Sequence, residues 1–286
     1  MTTPLPAAAS GSLLLGGDLP VTRMGFGAMR LTGEGIWGEP KDREKAKSVL
    51  RRALELGVNL IDTADAYGPE VSEQLIAEAL FPYAKGLVIA TKGGLTRSGP
   101  NAWSRDGKPE RLVTACEGSL KRLRVQCIDV YQLHAVDPAI PFLDSLGALV
   151  RLKEQGKVRH IGLSNVSVAQ LEQALTVVPI VSVQNRYSLS DRGAEAVLDA
   201  CTRLGIGFLP WYPLAAGELS RAVGPLQSVA KRHDATVGQT ALAWLLRRSK
   251  VMLPIPGTSS VAHLEENVAA SALRLTDEEF QSLAGG

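Results

Sequence analysis

Four titratable residues stand where apolar runs give way to polar ones. Asp62 ends the run Asn59 to Thr63 and is soon followed by Tyr67; Lys92 follows Leu87 to Thr91; His134 follows Ile128 to Leu133. Ser164 and Asn165 come directly after His160 to Leu163, and Gln184 ends Ile180 to Val183. Taken singly, an Asp in such a place is more often a helix cap or turn former, and a His after Leu133 a satisfied core residue. Together they make a specific chemistry. A phenol beside an ammonium that a carboxylate holds in place is a proton donor suited to neutral pH, because the lysine charge lowers the tyrosine's reference pKa of about 10. Reduction of a carbonyl needs such an acid, since hydride addition leaves an alkoxide that a donor already aimed at it must meet. Lys92 could instead serve as a Schiff-base nucleophile, as in an aldolase. That requires a neutral amine, whereas Asp62 keeps the ammonium charged.

These residues must be brought together by the elements that precede them. Short apolar runs bounded by Gly, Pro or polar residues occur at Met24–Ala28, Asn59–Thr63, Leu87–Thr91, Ile128–Leu133, His160–Leu163, Ile180–Gln184, Ile206–Pro210 and Val251–Ile255. Helical periodicity fills the intervals, as in Asp42 to Leu56, where Ala46, Val49, Leu50, Ala53 and Leu54 recur at i, i+3, i+4, i+7 and i+8. Gly57, Gly156 and Gly205 stand where helices stop. Ser167 with Gln170 and Thr276 with Glu279 have capping-box spacing, Pro109 suits a first helical turn, and Asp277 to Ala284 reads as a last helix. Eight strands alternating with helices, undivided by any linker, predict a single-domain (β/α)8 TIM barrel over residues 1–286, preceded by a β-hairpin turning at Gly16, Gly17 and Asp18 and by a loose tail over residues 1–10. A doubly wound sheet is the alternative. No G-x-G-x-x-G opens a helix after the first strand, because Gly25-Phe26-Gly27 lacks the third glycine. In a barrel, strand ends converge on one face, so the residues above would share one small volume.

The 286 residues are 45% hydrophobic and 21% charged, values that exclude disorder and a fibrous class. A formal charge of +2, with no run of five like charges, leaves no footprint for nucleic acid or a membrane surface and points to a small-molecule partner. Cys116, Cys127 and Cys201 are too scattered for a disulfide framework or a metal site, so neither is expected and a reducing, cytoplasmic setting is. The N-terminal stretch lacks a basic region and carries only the apolar run Leu13 to Leu15, and nowhere do 18 apolar residues run together.

Asp62-Thr63-Ala64-Asp65-Ala66-Tyr67-Gly68 with Ser72-Glu73 resembles the first signature of the aldo-keto reductase superfamily. Ile89 to Lys92, Asp129 to His134, Gly156 to Asn165, Val183 to Tyr187 and Ile255 to Thr258 match further signatures in order, so the resemblance spans Gly25 to Asn267. It implies that Tyr67 protonates the carbonyl oxygen, that Lys92 and Asp62 tune it, and that His134 orients the substrate. It also implies a nicotinamide dinucleotide laid across the barrel mouth. Ser164, Asn165 and Gln184 would hold its carboxamide, with Gly27, Ala28 and Asp62 near the nicotinamide half; Trp211 would take the stacking place usually filled by a tyrosine, with Tyr212 and Leu214 following. Beyond the last strand, Gly257, Thr258, Ser259 and His263 fall at the 2′-phosphate positions, and Glu266 and Asn267 at the adenine. Many NADPH-using members carry Lys and Arg where this chain has Gly257 and His263. Hydroxyls and free N–H groups at a helix start can still bind an anion, and NADPH is favoured over NADH. A lysine placed at Gly257 is then expected to strengthen that preference. Trp37, Trp103, Tyr67 and His134 are the expected substrate pocket, loop packing being the other reading of Trp37 and Trp103. Similar short bacterial members include pyridoxal reductases, which makes pyridoxal a named candidate among small aldehydes and ketones. Reversible alcohol oxidation is implied too, and a cofactor-sensing regulatory protein of the same fold is the alternative.

Overall fold

The computed structural model describes residues 4–214 and 224–284. A hairpin of β1 (Ser12–Leu15) and β2 (Leu19–Thr22) turns at Gly16-Gly17-Asp18, and both glycines take left-handed φ values, 61° and 85°, that a tight turn demands. Then come β3 (Phe26–Gly27), β4 (Leu60–Asp62) and β5 (Val88–Gly93), a second hairpin of β6 (Leu95–Gly99) and β7 (Ala102–Arg105), and β8 (Ile128–Leu133), β9 (Val158–Ser164), β10 (Ile180–Gln184) and β11 (Gly207–Phe208). The parallel sheet runs β3-β4-β5-β8-β9-β10-β11.

The eighth run, Val251–Ile255, closes the ring without forming a regular strand. The Phe208 N–H donates to the Val251 carbonyl at 2.8 Å, Leu253 N–H to the Phe208 carbonyl at 2.8 Å, and Gly25 N–H to the Pro254 carbonyl at 2.9 Å. Pro254 and Pro256 have no N–H to donate, which keeps this segment from extending the ladder. The result is the expected (β/α)8 barrel with its N-terminal hairpin.

Around it lie α1 (Arg43–Glu55), α2 (Val71–Leu80), α3 (Pro109–Leu123), α4 (Phe142–Glu154), α5 (Val168–Leu175), α6 (Glu195–Leu204), α7 (Pro225–Arg232), α8 (Val237–Arg248), α9 (Val261–Ala269) and α10 (Asp277–Ala284). Ser167 and Gln170 make the reciprocal capping bonds of α5, and Thr276 and Glu279 make those of α10. None of these helices is long and apolar enough to cross a membrane.

The tail departs from expectation. Pro6–Ser10 forms a 3-10 turn in which Ala7 is fully buried and its N–H donates to the Leu56 carbonyl at 2.9 Å. A composition of Ala and Pro looks unstructured because it carries little apolar area, but the buried methyl of Ala7 and its bond to the end of α1 fix this turn. Residues 1–3 of the same stretch lie outside the described residues.

Two apolar layers set the geometry of the site. Successive strand residues face opposite sides. Leu60, Val88, Ala90, Val130, Val181 and Leu209 fill the barrel with Leu15, Leu19 and Val21 of the first hairpin, whereas Ile61, Ile89, Tyr131 and Leu133 belong to the larger cluster shared with the helices.

Candidate active site

The same alternation delivers the polar residues. Counting by twos from the apolar interior leads from Leu60 to Asp62, from Val88 and Ala90 to Lys92, and from Val130 to Gln132 and His134. Each strand thus turns from apolar to polar as it leaves the packed interior. Their side chains meet in one network. The Lys92 ammonium donates to Asp62 Oδ2 at 2.6 Å, to the Thr63 carbonyl at 2.8 Å and to the Tyr67 hydroxyl at 3.3 Å. Asp62 Oδ1 accepts from Gln184 Nε2 at 2.8 Å and from Gln132 Nε2 at 3.2 Å. Gln132 is a member that sequence reasoning missed, although its place midway between Val130 and His134 was the signal for it.

Burial and neighbouring charge act together on the protonation states of Lys92, Tyr67 and His134. Lys92 is fully buried and Asp62 is 2% exposed. Desolvation, the strongest single influence on Lys92, opposes its charge, but the Asp62 carboxylate and Tyr67 together overcome it and leave its pKa raised. The lysine is an ammonium, which removes the Schiff-base alternative. Tyr67 departs from the sequence-based expectation: burial pushes the phenol above its usual range, and the pull of Lys92 in the other direction recovers only part of this. Tyr67 therefore holds its proton at neutral pH. His134 is pushed well below the ordinary imidazole range, first by burial and then by the Lys92 charge, so its ring is neutral. The rings of Tyr67, His134 and Trp103 meet edge to face, with centroids 5.8 to 6.4 Å apart.

A cavity of about 460 Å³ opens over this network. Of the residues singled out in the sequence, Gly27, Asp62, Tyr67, Trp103, His134, Ser164, Asn165, Gln184, Trp211, Tyr212, Leu214 and Gly257 line it. Asn165 donates to the His134 carbonyl and to Ser164 Oγ, both at 3.0 Å, and accepts from Trp211 Nε1 at 3.0 Å, so the indole is hydrogen-bonded to the same wall. An adjoining cavity of about 550 Å³ takes in Thr258 and Ser259 with Met29, Arg30 and Gly257.

Other expected residues lie elsewhere. Ala28 is fully buried behind the wall, where its carbonyl accepts from Ser72 Oγ at 3.5 Å. Trp37 does not face the cavity; its neighbour Ile36 does, and the Trp37 ring lies 5.7 Å from the Arg97 guanidinium. His263, Glu266 and Asn267 on α9 stand outside both cavities, His263 exposed and Glu266 accepting from the Thr236 hydroxyl at 2.6 Å. Arg30, which lines both cavities and has no carboxylate partner among the described residues, was missed. Nothing in a lone exposed arginine's sequence context distinguishes it.

Gly27 and Gly257 bring two backbones together under the junction of the cavities. A Cβ on Gly257 would stand 2.6 Å from the Gly27 carbonyl oxygen, and one on Gly27 2.6 Å from the Ile255 carbonyl oxygen. Neither position accepts a side chain without moving main chain. The expectation that lysine at 257 strengthens phosphate binding is corrected on this ground.

Residues 23–285 match the model of the Aldo/keto reductase family. The chain belongs to the aldo-keto reductase family. It is 51% identical over 277 residues to an uncharacterised oxidoreductase of Schizosaccharomyces pombe, covering 97% of this chain and 90% of that one. To the pyridoxine 4-dehydrogenase of Escherichia coli it is 44% identical over 275 residues, covering 94% and 96%. Among solved structures, a glycerol dehydrogenase from Gluconobacter oxydans superimposes with a TM-score of 0.87 at 27% identity, covering 96% and 94% of the two chains. An aldo-keto reductase from Klebsiella pneumoniae in complex with NADPH gives 0.80 at 26% identity, covering 95% and 93%. This aldo-keto reductase is accordingly an oxidoreductase.

Proposed function

We propose that this aldo-keto reductase transfers a hydride from NADPH to the carbonyl of a small aldehyde or ketone, with Tyr67 as proton donor, and that pyridoxal is among its substrates. The observation that carries the reading is the buried Lys92 ammonium bonded at once to Asp62 and the Tyr67 hydroxyl at the floor of a largely apolar cavity that Tyr67, Trp103, Trp211 and Tyr212 help to line. The dinucleotide supplies the hydride when bound. The residues present suit it: Ser164, Asn165 and Gln184 offer paired donors and acceptors for a carboxamide, Trp211 offers a flat face, and the Gly27–Gly257 approach leaves room for an extended ligand. Arg30, with Thr258 and Ser259, supplies donors for its phosphates in place of the missing lysine.

Tyr67, protonated at neutral pH, gives its proton to the carbonyl oxygen as negative charge develops there, and the ammonium of Lys92 stabilises the phenolate left behind. Neutral His134 orients the carbonyl without adding a second cation. In the reverse direction Tyr67 must accept a proton, so alcohol oxidation strengthens as pH rises. The relative named for pyridoxine oxidation supports pyridoxal as the substrate to try first.

The test is a fluorescence titration of wild type and Arg30→Gln with NADPH and NADH, followed by addition of pyridoxal, 4-nitrobenzaldehyde and simple ketones. Tighter binding of NADPH than NADH, a loss of that preference in Arg30→Gln, and cofactor oxidation on adding a carbonyl are expected. Cofactor held but never consumed would favour the sensor, and failure to bind either dinucleotide would overturn the reading.

A further inference from the structure

Arg97, behind the cavity wall, makes an unusual set of bonds. All five are to main-chain carbonyls: Nε donates to Ala102 at 3.0 Å, Nη1 to Ile36 at 2.7 Å and Ala66 at 3.2 Å, and Nη2 to Gly35 at 2.8 Å and Gly99 at 3.2 Å. It has no carboxylate partner among the described residues. Its guanidinium carbon also lies over the Trp103 ring, 3.7 Å from the ring centroid. One side chain therefore ties together three segments: the loop after β3, the turn that carries Tyr67, and the β6–β7 hairpin.

Each tied segment presents a wall of the same cavity. Ile36 comes from the first, Tyr67 from the second, and Leu95, Asn101 and Trp103 from the third. One of these residues adopts backbone that does not hold itself: Ile36 has φ 57°, a left-handed conformation costly for a β-branched residue, whereas Asn101, at φ 55°, is a residue that tolerates it. The Asn101 N–H donates to the Gly35 carbonyl at 2.9 Å, and a Cβ on Gly35 would meet Pro100 at 2.7 Å, so loop and hairpin are in close contact where Arg97 pins them. A guanidinium, planar with five N–H groups, satisfies such a ring of carbonyls, whereas a lysine has three donors and no flat face for the indole.

We propose that Arg97 is the positioning residue that sets the aperture of the substrate pocket, holding Ile36, Asn101 and Trp103 against the Tyr67–His134 floor and so selecting for flat, aromatic carbonyl compounds. This rests on the carbonyl-reductase reading of the cavity. It assigns Arg97 no contact with the reacting atoms; it acts through the walls it fixes.

The experiment compares wild type, Arg97→Lys and Arg97→Ala, using 4-nitrobenzaldehyde and propanal as substrates. Both variants should raise the KM for 4-nitrobenzaldehyde about tenfold or more with kcat within about threefold, the pattern of lost binding shared by ground and transition states. The preference for the aromatic over the aliphatic aldehyde should fall by a similar factor, the NADPH Kd should stay within about twofold, and added methylguanidinium should restore part of the KM in Arg97→Ala but not in Arg97→Lys. Amide hydrogen exchange should speed up at least about tenfold in residues 33–38 and 95–105 and stay unchanged in Val88–Gly93. Unchanged exchange in residues 33–38 and 95–105, or a loss in kcat with unchanged KM and unchanged preference, would overturn the proposal. Should Arg97→Ala not fold, Arg97→Lys carries the test. If wild type oxidises no NADPH with any carbonyl, the reductase reading fails, and the exchange measurement still decides whether Arg97 is the clamp.

Discussion

The floor of the cavity and its rim are built by different means. On the floor, Asp62, Lys92 and His134 stand at strand ends with 7% exposure or less; burial and neighbouring charge set the protonation states of Lys92 and His134. On the rim, Ile36, Asn101, Trp103, Trp211 and Tyr212 sit on loops or a hairpin, more exposed, and are held by hydrogen bonds from other loops or by arginine guanidinium groups over their rings. In the reading proposed above, the floor fixes what reaction is possible and the rim what is admitted to it. A strand end is constrained by two neighbouring strands and the core beneath, so its side chain cannot wander; a loop needs its own fasteners, and these can change without touching the chemistry.

The sharpest way to break this division is Tyr67→Phe. It should lower kcat by about 10²- to 10⁴-fold, the span of general-acid catalysis, and leave NADPH affinity within about twofold. Activity within a few-fold of wild type would show that the floor does not supply the proton. Gly257→Lys comes next, at the edge between the two regions. The Cβ encroaches on the Gly27 carbonyl, so an overpacking cost of about 1–3 kcal/mol should appear as weaker NADPH binding and a lower Tm, despite the added charge. Tighter binding at unchanged Tm would mean that this backbone yields freely.

The smallest effect concerns what the buried floor costs the fold. Asp65, on the turn before Tyr67, is pushed up to about 7 by burial and by the Glu73 carboxylate, against the partial relief of Arg111 at 3.7 Å and Arg122. Unfolded, its carboxyl titrates near 3.9, so between about pH 4 and 7 the folded chain binds more protons and loses stability as pH rises. Asp65→Asn should therefore gain Tm over wild type at pH 8 and little at pH 5, each kcal/mol being worth about 2–4 °C. Equal gains at both pH values would place the effect in packing instead.

How much of this was legible in the sequence follows the same division. Strands showed as apolar runs and the floor as their polar ends, because alternation is a local property of an extended chain; by the same rule Gln132 was within reach. The rim was less legible. Ile36 and Trp37 are adjacent, and which of them faces the cavity depends on left-handed backbone held by an arginine far along the chain. The Gly27–Gly257 approach and the resulting bar on a lysine arise from contact between the first and last barrel segments, which no local pattern encodes. For Tyr67 the linear sequence shows the neighbouring charge, which would lower the phenol, but not the depth of burial that outweighs it and raises the phenol.

The barrel's closure joins nearly the two extremes of the chain. Gly25 meets Pro254 there, and Arg23 reaches across to the Met252 carbonyl at 3.2 Å. Contacts between such distant residues are entropically slow to form, so this seam should be the last part of the ring to assemble and the first to part. The Gly27–Gly257 contact lies beside the seam, directly under the two cavities. A ligand lying across them would act as a strap over the seam, turning occupancy into resistance to unfolding and proteolysis, and the enzyme's lifetime would follow the supply of its dinucleotide.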